Sequence, residues 1–181
     1  MGQPCHLRCG HIVGTMPGAE ALPGPRLGPT MADDLSPEVR HAVSVAVRND
    51  DGLVFAVRRP DEPGEELPGV WGLPAATLRA GESPEEGVQR LGHDKLGVAL
   101  TPLRSMAEGE QPREGYTLRM TLYEASLSGE PRSPPRRSDE AGTLYEAIDW
   151  LPAPSFRDAA ERGSLCCRLF LEYTGRGPVT R

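Results

Sequence analysis

The most constraining feature of the sequence is a helix for which both ends are marked. Ser83 is a natural N-cap, Pro84 occupies the first helical position and Glu86 the third. In this Ser-x-x-Glu arrangement, the side chain of each capping residue accepts a hydrogen bond from the backbone amide of the other, which forms a capping box. Gly97 is suited to the C-terminal stop. The sequence therefore predicts a helix over about residues 84–96.

Two glycines lie inside this helix. Gly87 and Gly92 each cost a helix about 1 kcal/mol relative to alanine. A helix with two such positions gains little from the propensity of its own residues. We therefore expect packing against the rest of the fold to stabilise it.

Alternating apolar segments on both sides of the helix predict strands. The segments are 41–48, 53–59, 98–106, 116–127 and 143–151, with a short one at 70–74. The first two flank the turn sequence Asp51-Gly52, which is typical of a β-hairpin. Residues 155–175 begin with a serine cap and carry a helical apolar pattern, so they predict a second helix. Strands around one helix, with another helix at the end, indicate a mixed α/β domain.

The charge and hydropathy of the chain exclude some classes of function. Its net charge is -6, which argues against a domain that coats the nucleic-acid backbone, because such a surface has to be basic. A small basic pocket for one nucleotide stays compatible with that charge. No apolar run approaches the roughly 20 residues that span a bilayer, and no secretory signal is evident. We therefore expect a cytoplasmic protein that contacts neither membranes nor bulk nucleic acid.

The N-terminal segment differs from the rest in composition. Residues 1–36 are rich in glycine and proline and lack apolar periodicity. We expect this segment to be disordered, followed by one domain over 37–176 and a tail over 177–181. The segment also groups residue types that bind zinc, namely Cys5, His6, Cys9 and His11. A closed zinc site needs a folded frame, and this segment offers none. Cys166 and Cys167 fall within the second helix and are expected to be buried.

The region around the first helix resembles the signature of the Nudix superfamily. That signature is Gly, five residues, Glu, seven residues, Arg-Glu, an aliphatic residue, any residue, Glu-Glu, any residue, Gly and an aliphatic residue. Laid on residues 76–98, it is matched at the correct spacing by Glu82, Arg90, Gly97 and Val98.

The resemblance covers about residues 38–175 and includes Trp150, since a tryptophan is often found near the end of this fold. It implies a Nudix fold, in which a mixed β-sheet is sandwiched between helices. It also implies attack of metal-activated water on a nucleoside diphosphate linked to another moiety, with magnesium or manganese as the cofactor. Pairing of subunits into a homodimer is common in the family.

The sequence departs from the signature at the residues that bind metal in the family. Leu91, Asp94 and Lys95 stand where Nudix enzymes carry three glutamates, and their spacing predicts that they share one face of an α-helix. Ala76 and Gly92 stand at the opening glycine and at the aliphatic position. Magnesium prefers hard oxygen ligands in octahedral geometry. Leucine has no such ligand and the lysine ammonium repels a cation, so we expect a weakened metal site.

Three residues are candidate catalytic residues by the resemblance: Glu82, Arg90 and Asp94. Asp94 and Glu82 are also the candidate metal ligands, and Glu82 is expected to pair with Arg90. Alternatively, Glu86, Arg90 and Asp94 form an ion-pair ladder along the helix. Two further acids lie where some Nudix enzymes place a general base, although each is more simply a loop or strand acid: Glu140 and Glu146.

Other residues are candidates for contacts with the substrate. Lys95 can neutralise phosphate oxygens directly, helped by Arg59 from the predicted hairpin and Arg79 from the loop before the helix. Trp71 is a candidate to stack on a base, or else it anchors the core. His93 is either a further ligand contact or a surface residue.

Two functional hypotheses follow. The first is a Nudix hydrolase family protein that acts on or binds a nucleoside diphosphate derivative, with hydrolysis weakened because the metal-binding glutamates are partly replaced. The alternative is a catalytically inactive module of Nudix fold that senses a nucleotide or serves a protein partner.

Overall fold

Seven strands and three α-helices make up the part of the chain that the computed structural model describes, residues 38–132 and 145–175. The strands are β1 (Glu38–Ala46), β2 (Val54–Arg58), β3 (Trp71–Gly72), β4 (Ala75–Thr77), β5 (Ala99–Arg113), β6 (Tyr116–Ser128) and β7 (Ala147–Leu151). The helices are α1 (Pro84–Leu91), α2 (Arg157–Glu161) and α3 (Leu165–Gly175). A π-helical turn (Gly92–Leu96) continues α1, and a 3-10 turn (Ala153–Phe156) precedes α2.

The strands form two sheets. The larger sheet has the order β4-β1-β6-β5, with β1 parallel to β6 and the other pairs antiparallel. The smaller sheet has the order β3-β2-β7 and is antiparallel. Strand β1 therefore lies inside a mixed sheet, beside the short strand β4 that leads towards α1.

Strand β1 separates two apolar cores. Val43 packs in the core that contains Leu91 of α1, whereas its neighbour Ala42 packs in the core that contains Phe170 of α3. Successive side chains of a strand point to opposite faces of the sheet. Helices therefore cover the mixed sheet on both sides, as the sequence predicts.

The start of α1 is capped as predicted. The Ser83 hydroxyl accepts a hydrogen bond from the Glu86 amide at 3.3 Å, and the Glu86 carboxylate accepts one from the Ser83 amide at 2.8 Å. The helical region extends to Leu96, which agrees with the predicted range. Its last five residues are π-helical rather than α-helical.

The two glycines of the helical region allow it to lie close against its neighbours. A Cβ atom at Gly87 would lie 2.3 Å from Leu78 Cδ2, and one at Gly92 would lie 2.8 Å from Leu100 Cγ. Heavy atoms do not approach one another so closely. The expectation that tertiary packing stabilises this helix is therefore confirmed.

The predicted hairpin between the first two strands forms only close to its turn, where an antiparallel bridge joins Arg48 to Val54. The turn itself forms, because the Gly52 amide donates to the Asn49 carbonyl at 3.0 Å. Farther from the turn the two strands separate, since β1 pairs with β4 and β6, whereas β2 pairs with β3 and β7. The last five residues of β1 and the first four of β2 are buried on both faces, a pattern typical of strands covered on both sides. Each strand consequently lies at the centre of a different sheet.

The predicted helix over 155–175 is interrupted. Gly163 has a φ angle of 97°, a left-handed conformation that favours glycine, and it separates α2 from α3. Cys166 and Cys167 of α3 are both buried, as predicted.

Some predictions fall outside the described residues. They concern segment 1–36 with its cysteine and histidine cluster, Glu140, and tail 177–181. Among the helices that are described, none is long and apolar enough to cross a membrane.

Candidate functional site

Glu82 and Arg90 form a two-point ion pair at the start of the site. Arg90 Nε lies 2.6 Å from Glu82 Oε1, and Arg90 Nη2 lies 2.8 Å from Glu82 Oε2. The Arg79 amide donates to Oε2 as well, at 2.8 Å. The hydrogen bond from Arg90 lowers the pKa of Glu82 to about 2. The predicted pairing is confirmed, and both carboxylate oxygens of Glu82 are already engaged.

The ion-pair ladder along the helix does not form. The Glu86 carboxylate caps the helix, and Arg90 turns back to Glu82 rather than along α1. Asp94 lies 3.6 Å from Arg79 Nη2 and 2.9 Å from His93 Nδ1. The alternative reading of Asp94 is therefore wrong, and Asp94 is paired at the protein surface instead.

The end of the helical region departs from the spacing on which the metal prediction depends. The Gly97 amide donates to the Gly92 carbonyl, an i to i+5 bond, so each residue of this turn advances by a smaller angle than in an α-helix. Leu91 is fully buried in the core. Asp94 pairs with surface groups, whereas Lys95 lies on the wall of a cavity. Residue 91 is therefore buried in the core, whereas residues 94 and 95 are partly exposed, so the three side chains lie in different surroundings.

Lys95 is held against the edge of the larger sheet. Its Nζ donates to the Ala75 carbonyl at 3.0 Å and lies 5.4 Å from the centre of the Tyr145 ring. Burial lowers the pKa of Lys95 to about 8, and the positive charges of Arg59 and Arg90 act in the same direction. The ammonium is thus enclosed by the protein rather than directed to solvent.

The cavity beside Lys95 has a volume of about 300 Å³. Its charged lining residues are Arg59, Glu66, Arg90 and Lys95. Its other wall follows one face of β6, where Tyr116, Leu118 and Met120 alternate. The cavity therefore joins a cationic region to an apolar one.

Three residues near the cavity were not singled out by the sequence. The Tyr145 hydroxyl donates to the Ala75 carbonyl at 3.2 Å, and burial raises the Tyr145 pKa to about 12. Glu65 lies 2.6 Å from Arg59, and Glu66 pairs with Arg113 of β5. The contacts of Tyr145 and Glu66 join segments far apart in the chain, so no local pattern signals them, whereas Glu65 lies only six residues after Arg59.

Several predicted ligand contacts lie away from the cavity lining. Trp71 packs against the apolar core that α3 covers, which supports its alternative role as a core anchor. Arg79 and His93 are largely exposed, with side-chain exposures of 69% and 88%. Glu146 is 3.0 Å from Arg58. Of the predicted contacts, Arg59 and Lys95 line the cavity.

The described residues contain no cluster of ligands already gathered for a metal ion. Within residues 38–132 and 145–175, no three histidine, cysteine, aspartate or glutamate side chains come together. Glu82 and Asp94 are paired with cationic groups, and an ammonium lies close to the end of the same helical region. That Asp94 and Glu82 bind metal stays a prediction.

The comparison with protein families identifies the chain. The NUDIX domain model matches residues 38–165, which is most of the 181-residue sequence. The chain belongs to the Nudix family. Nudix hydrolases generally use divalent metal ions, and members of the family act on small nucleotide-derived substrates.

This Nudix chain is similar to curated RNA pyrophosphohydrolases. It is 28% identical over 144 residues to an RNA pyrophosphohydrolase of Gluconacetobacter diazotrophicus, covering 69% of this chain and 84% of the relative. It is 32% identical over 110 residues to an RNA pyrophosphohydrolase of Brucella ovis, covering 58% of this chain and 60% of the relative. The chain thus spans less than two thirds of the Brucella protein.

Solved structures share the Nudix fold. The MutT protein of Methanosarcina mazei Go1 matches with a TM-score of 0.61 and 16% identity, over 78% of this chain and 97% of that protein. A MutT NUDIX hydrolase of Burkholderia pseudomallei matches with a TM-score of 0.52 and 26% identity, over 65% and 85%. The predicted Nudix fold is confirmed.

Proposed function

We propose that this Nudix chain binds the phosphate groups of a nucleoside diphosphate derivative in the cavity beside Lys95, and that its metal-dependent hydrolysis is slow. The Lys95 ammonium supplies part of the positive charge that a divalent ion supplies in a Nudix hydrolase. Arg59 supplies a second positive group on the same cavity wall.

The position of Lys95 carries this proposal. Its Nζ lines the cavity and donates to a backbone carbonyl, while no carboxylate of the described residues pairs with it. A buried ammonium without a paired anion favours an anionic ligand, because the ligand supplies the missing opposite charge. Lysine binds phosphate as a point charge, which suits oxygen atoms in several orientations.

The slow hydrolysis follows from the groups around α1. Metal ions activate water and stabilise the charge that develops on a phosphate during attack. The Glu82 carboxylate is held by Arg90 and by the Arg79 amide, and Asp94 is paired with Arg79. Neither carboxylate presents a free pair of oxygen atoms to a metal ion, so we expect slow hydrolysis. The charge of Lys95 still favours binding of the phosphate groups.

The shape of the cavity supports a ligand with two different ends. Its volume of about 300 Å³ is at the small end of the range for ligand sites, roughly 300–1,000 Å³. The apolar wall formed by Tyr116, Leu118 and Met120 suits the nucleoside or another weakly polar moiety. The phosphate groups then face Lys95 and Arg59.

The names of the curated relatives add a second ligand to be tested. Both are RNA pyrophosphohydrolases, so the 5′ end of an RNA is a candidate for the same cavity. With a net charge of -6, we expect contacts with the phosphorylated end rather than along the RNA backbone.

A panel of ligands tests the proposal. Thermal unfolding is measured with ADP-ribose, a nucleoside diphosphate sugar and a short 5′-triphosphorylated RNA, each with magnesium, manganese or EDTA. Products are followed by chromatography in the same samples. We expect stabilisation in EDTA with little product. Lys95→Ala should abolish the stabilisation, whereas Arg168→Ala, which removes the same charge from an exposed site on α3, should retain it.

Two results would contradict the proposal. One is rapid magnesium-dependent release of product by the unmodified protein, which would show that the Nudix metal site is intact. The other is that no ligand in the panel produces a stabilisation that Lys95→Ala removes. This result would show that the cavity binds none of these phosphates.

A further inference from the structure

An acidic loop borders the cavity on the side of Arg59. We define the acidic strap as residues 60–69, which connect the end of β2 to β3. Its two ends are held together, because the Gly69 amide donates to the Pro60 carbonyl at 3.3 Å and the Arg59 amide donates to the Val70 carbonyl at 3.1 Å. These two backbone hydrogen bonds close the base of the strap. The acidic residues of the strap lie in the loop between its two ends.

Glu65 turns inwards from the strap. Its side chain is only 13% exposed, and Oε1 lies 2.6 Å from Arg59 Nη1. The Arg59 side chain is 24% exposed and lines the cavity. Burial by itself lowers the pKa of Arg59, but the hydrogen bond from Arg59 to Glu65 and the Glu65 charge outweigh it, and the pKa is raised. The carboxylate thus holds the guanidinium firmly in its charged form.

The charge of Glu65 also reaches Lys95. Burial and the nearby arginines lower the Lys95 pKa, while the negative charge of Glu65 acts in the opposite direction. Glu65 therefore stabilises both cations that would meet a phosphate in this cavity. A carboxylate and a phosphate compete for a guanidinium, since both accept its parallel N–H donors.

We propose that Glu65 is an internal competitor for the phosphate site, and that an anionic ligand binds by replacing the Glu65 carboxylate at Arg59. The inference rests on the proposed phosphate site and adds its regulation. In the empty protein the carboxylate neutralises Arg59 and keeps the acidic strap closed. When phosphate takes its place, the part of the strap that carries Glu65 moves outwards.

A second ion pair limits how far the strap moves. Glu66, the next residue, pairs with Arg113 at the end of β5. Arg113 also donates to the Gly163 carbonyl at 3.1 Å, so this anchor is fixed to the loop between α2 and α3. Because Glu66 stays attached, replacement of Glu65 releases the strap locally and leaves the two sheets in place.

Binding of inorganic pyrophosphate to the full chain tests this inference. Calorimetry in EDTA gives the dissociation constant for the unmodified protein, for Glu65→Gln and for Asp61→Asn. Glu65→Gln keeps the shape of the side chain and a neutral acceptor for Arg59 but removes the competing charge. We expect about five- to tenfold tighter binding in Glu65→Gln. Asp61→Asn removes the same charge from an exposed position of the strap and should change the dissociation constant less than twofold.

Cleavage by a glutamate-specific protease provides a second measurement. Cleavage after Glu65 should be slow in the empty protein, because its side chain is buried, and faster when pyrophosphate is bound. Fragment masses separate this site from exposed glutamates elsewhere. Unchanged or weaker pyrophosphate binding in a folded Glu65→Gln variant would overturn the inference. Slower cleavage after Glu65 when pyrophosphate is bound would overturn it as well. If the unmodified protein and Glu65→Gln both fail to bind pyrophosphate, the proposed phosphate site itself is wrong.

Discussion

The ammonium of Lys95 and the hydroxyl of Tyr145 donate to the same acceptor, the carbonyl oxygen of Ala75, at 3.0 Å and 3.2 Å. Ala75 belongs to β4, the edge strand of the larger sheet. The shared carbonyl fixes the end of the helical region to that edge and holds one positive charge beside the cavity. This charge determines how the site responds to pH and to metal ions.

Pyrophosphate binding should weaken as the pH rises from 7 to 9. The pKa of Lys95 is lowered to about 8 in the empty protein, and only the ammonium form attracts phosphate. An anion that binds raises this pKa again, so binding near pH 8 takes up a proton. Calorimetry in two buffers with different ionisation enthalpies measures that uptake. In Lys95→Met the uptake should disappear, and a pH-independent affinity in the unmodified protein would contradict the assignment.

Magnesium should oppose binding rather than promote it. A magnesium ion bound to pyrophosphate reduces the negative charge of the ligand and brings a cation towards Lys95 and Arg59. We expect the dissociation constant measured in excess magnesium to exceed that in EDTA. Potassium chloride at the same ionic strength serves as the control for screening. Tighter binding in magnesium would indicate a metal site formed together with the ligand.

Loss of the Glu82 charge should destabilise the fold at neutral pH. The folded-state pKa of Glu82 is about 2, lowered from 4.5 first of all by the hydrogen bond from Arg90. A lowered carboxylate pKa contributes stability that is complete above about pH 4.5 and is lost as the pH falls towards 2. Glu82→Gln should reduce the free energy of unfolding by about 2 kcal/mol at pH 7, with a smaller difference at pH 3. Urea denaturation at both pH values measures it, and Glu114→Gln controls for loss of an exposed charge.

An alanine at residue 92 should destabilise the protein although alanine favours helices. The added Cβ would lie 2.8 Å from Leu100 Cγ and 2.9 Å from the Val98 carbonyl oxygen. Overpacking of this kind costs about 1–3 kcal/mol, which exceeds the gain of up to about 1 kcal/mol in helix propensity. Gly92→Ala is compared with Gln89→Ala, an exposed position of α1, by urea denaturation. Equal stability of the two variants would contradict the close packing.

A glutamate at residue 91 should not restore a metal site. Leu91 is 0% exposed and lies in the core beneath α1. A carboxylate there is buried without a partner, so Leu91→Glu should lower the free energy of unfolding by more than about 3 kcal/mol. Asp94→Glu, at a partly exposed position of the same helical region, should change it by less than about 1 kcal/mol. Thermal and urea unfolding compare the two variants. A stable Leu91→Glu protein with magnesium-dependent hydrolysis would show that the side chain can turn outwards.

Local sequence signals predicted the parts of the site that depend on neighbouring residues. The Ser83 and Glu86 cap is specified within four positions, and the pairing of Glu82 with Arg90 follows from a motif of fixed spacing. The burial of Leu91 in the core and the position of Lys95 on the cavity wall were not predicted, since both depend on how the helical region packs against the sheet.

Contacts between distant segments account for the remaining differences. Strand β1 and strand β2 have the same apolar pattern and a good turn between them, yet each has its neighbours in a different sheet. In the same way, the charge of Glu65 reaches Lys95 and Tyr145 only in the folded chain. Residue spacing along the chain carries no information about such strand pairing. Glu65 lies only six residues after Arg59, but its inward orientation emerges only from the folded structure.

Lys95 is the only lysine in the 181-residue sequence, and it lies inside the cavity. An amine-selective reagent therefore has one side-chain target in this sequence. The rate of labelling at that amine reports directly on whether the cavity is occupied, without any substitution or attached probe. Ligands for this protein can be found by screening for compounds that protect a single amine.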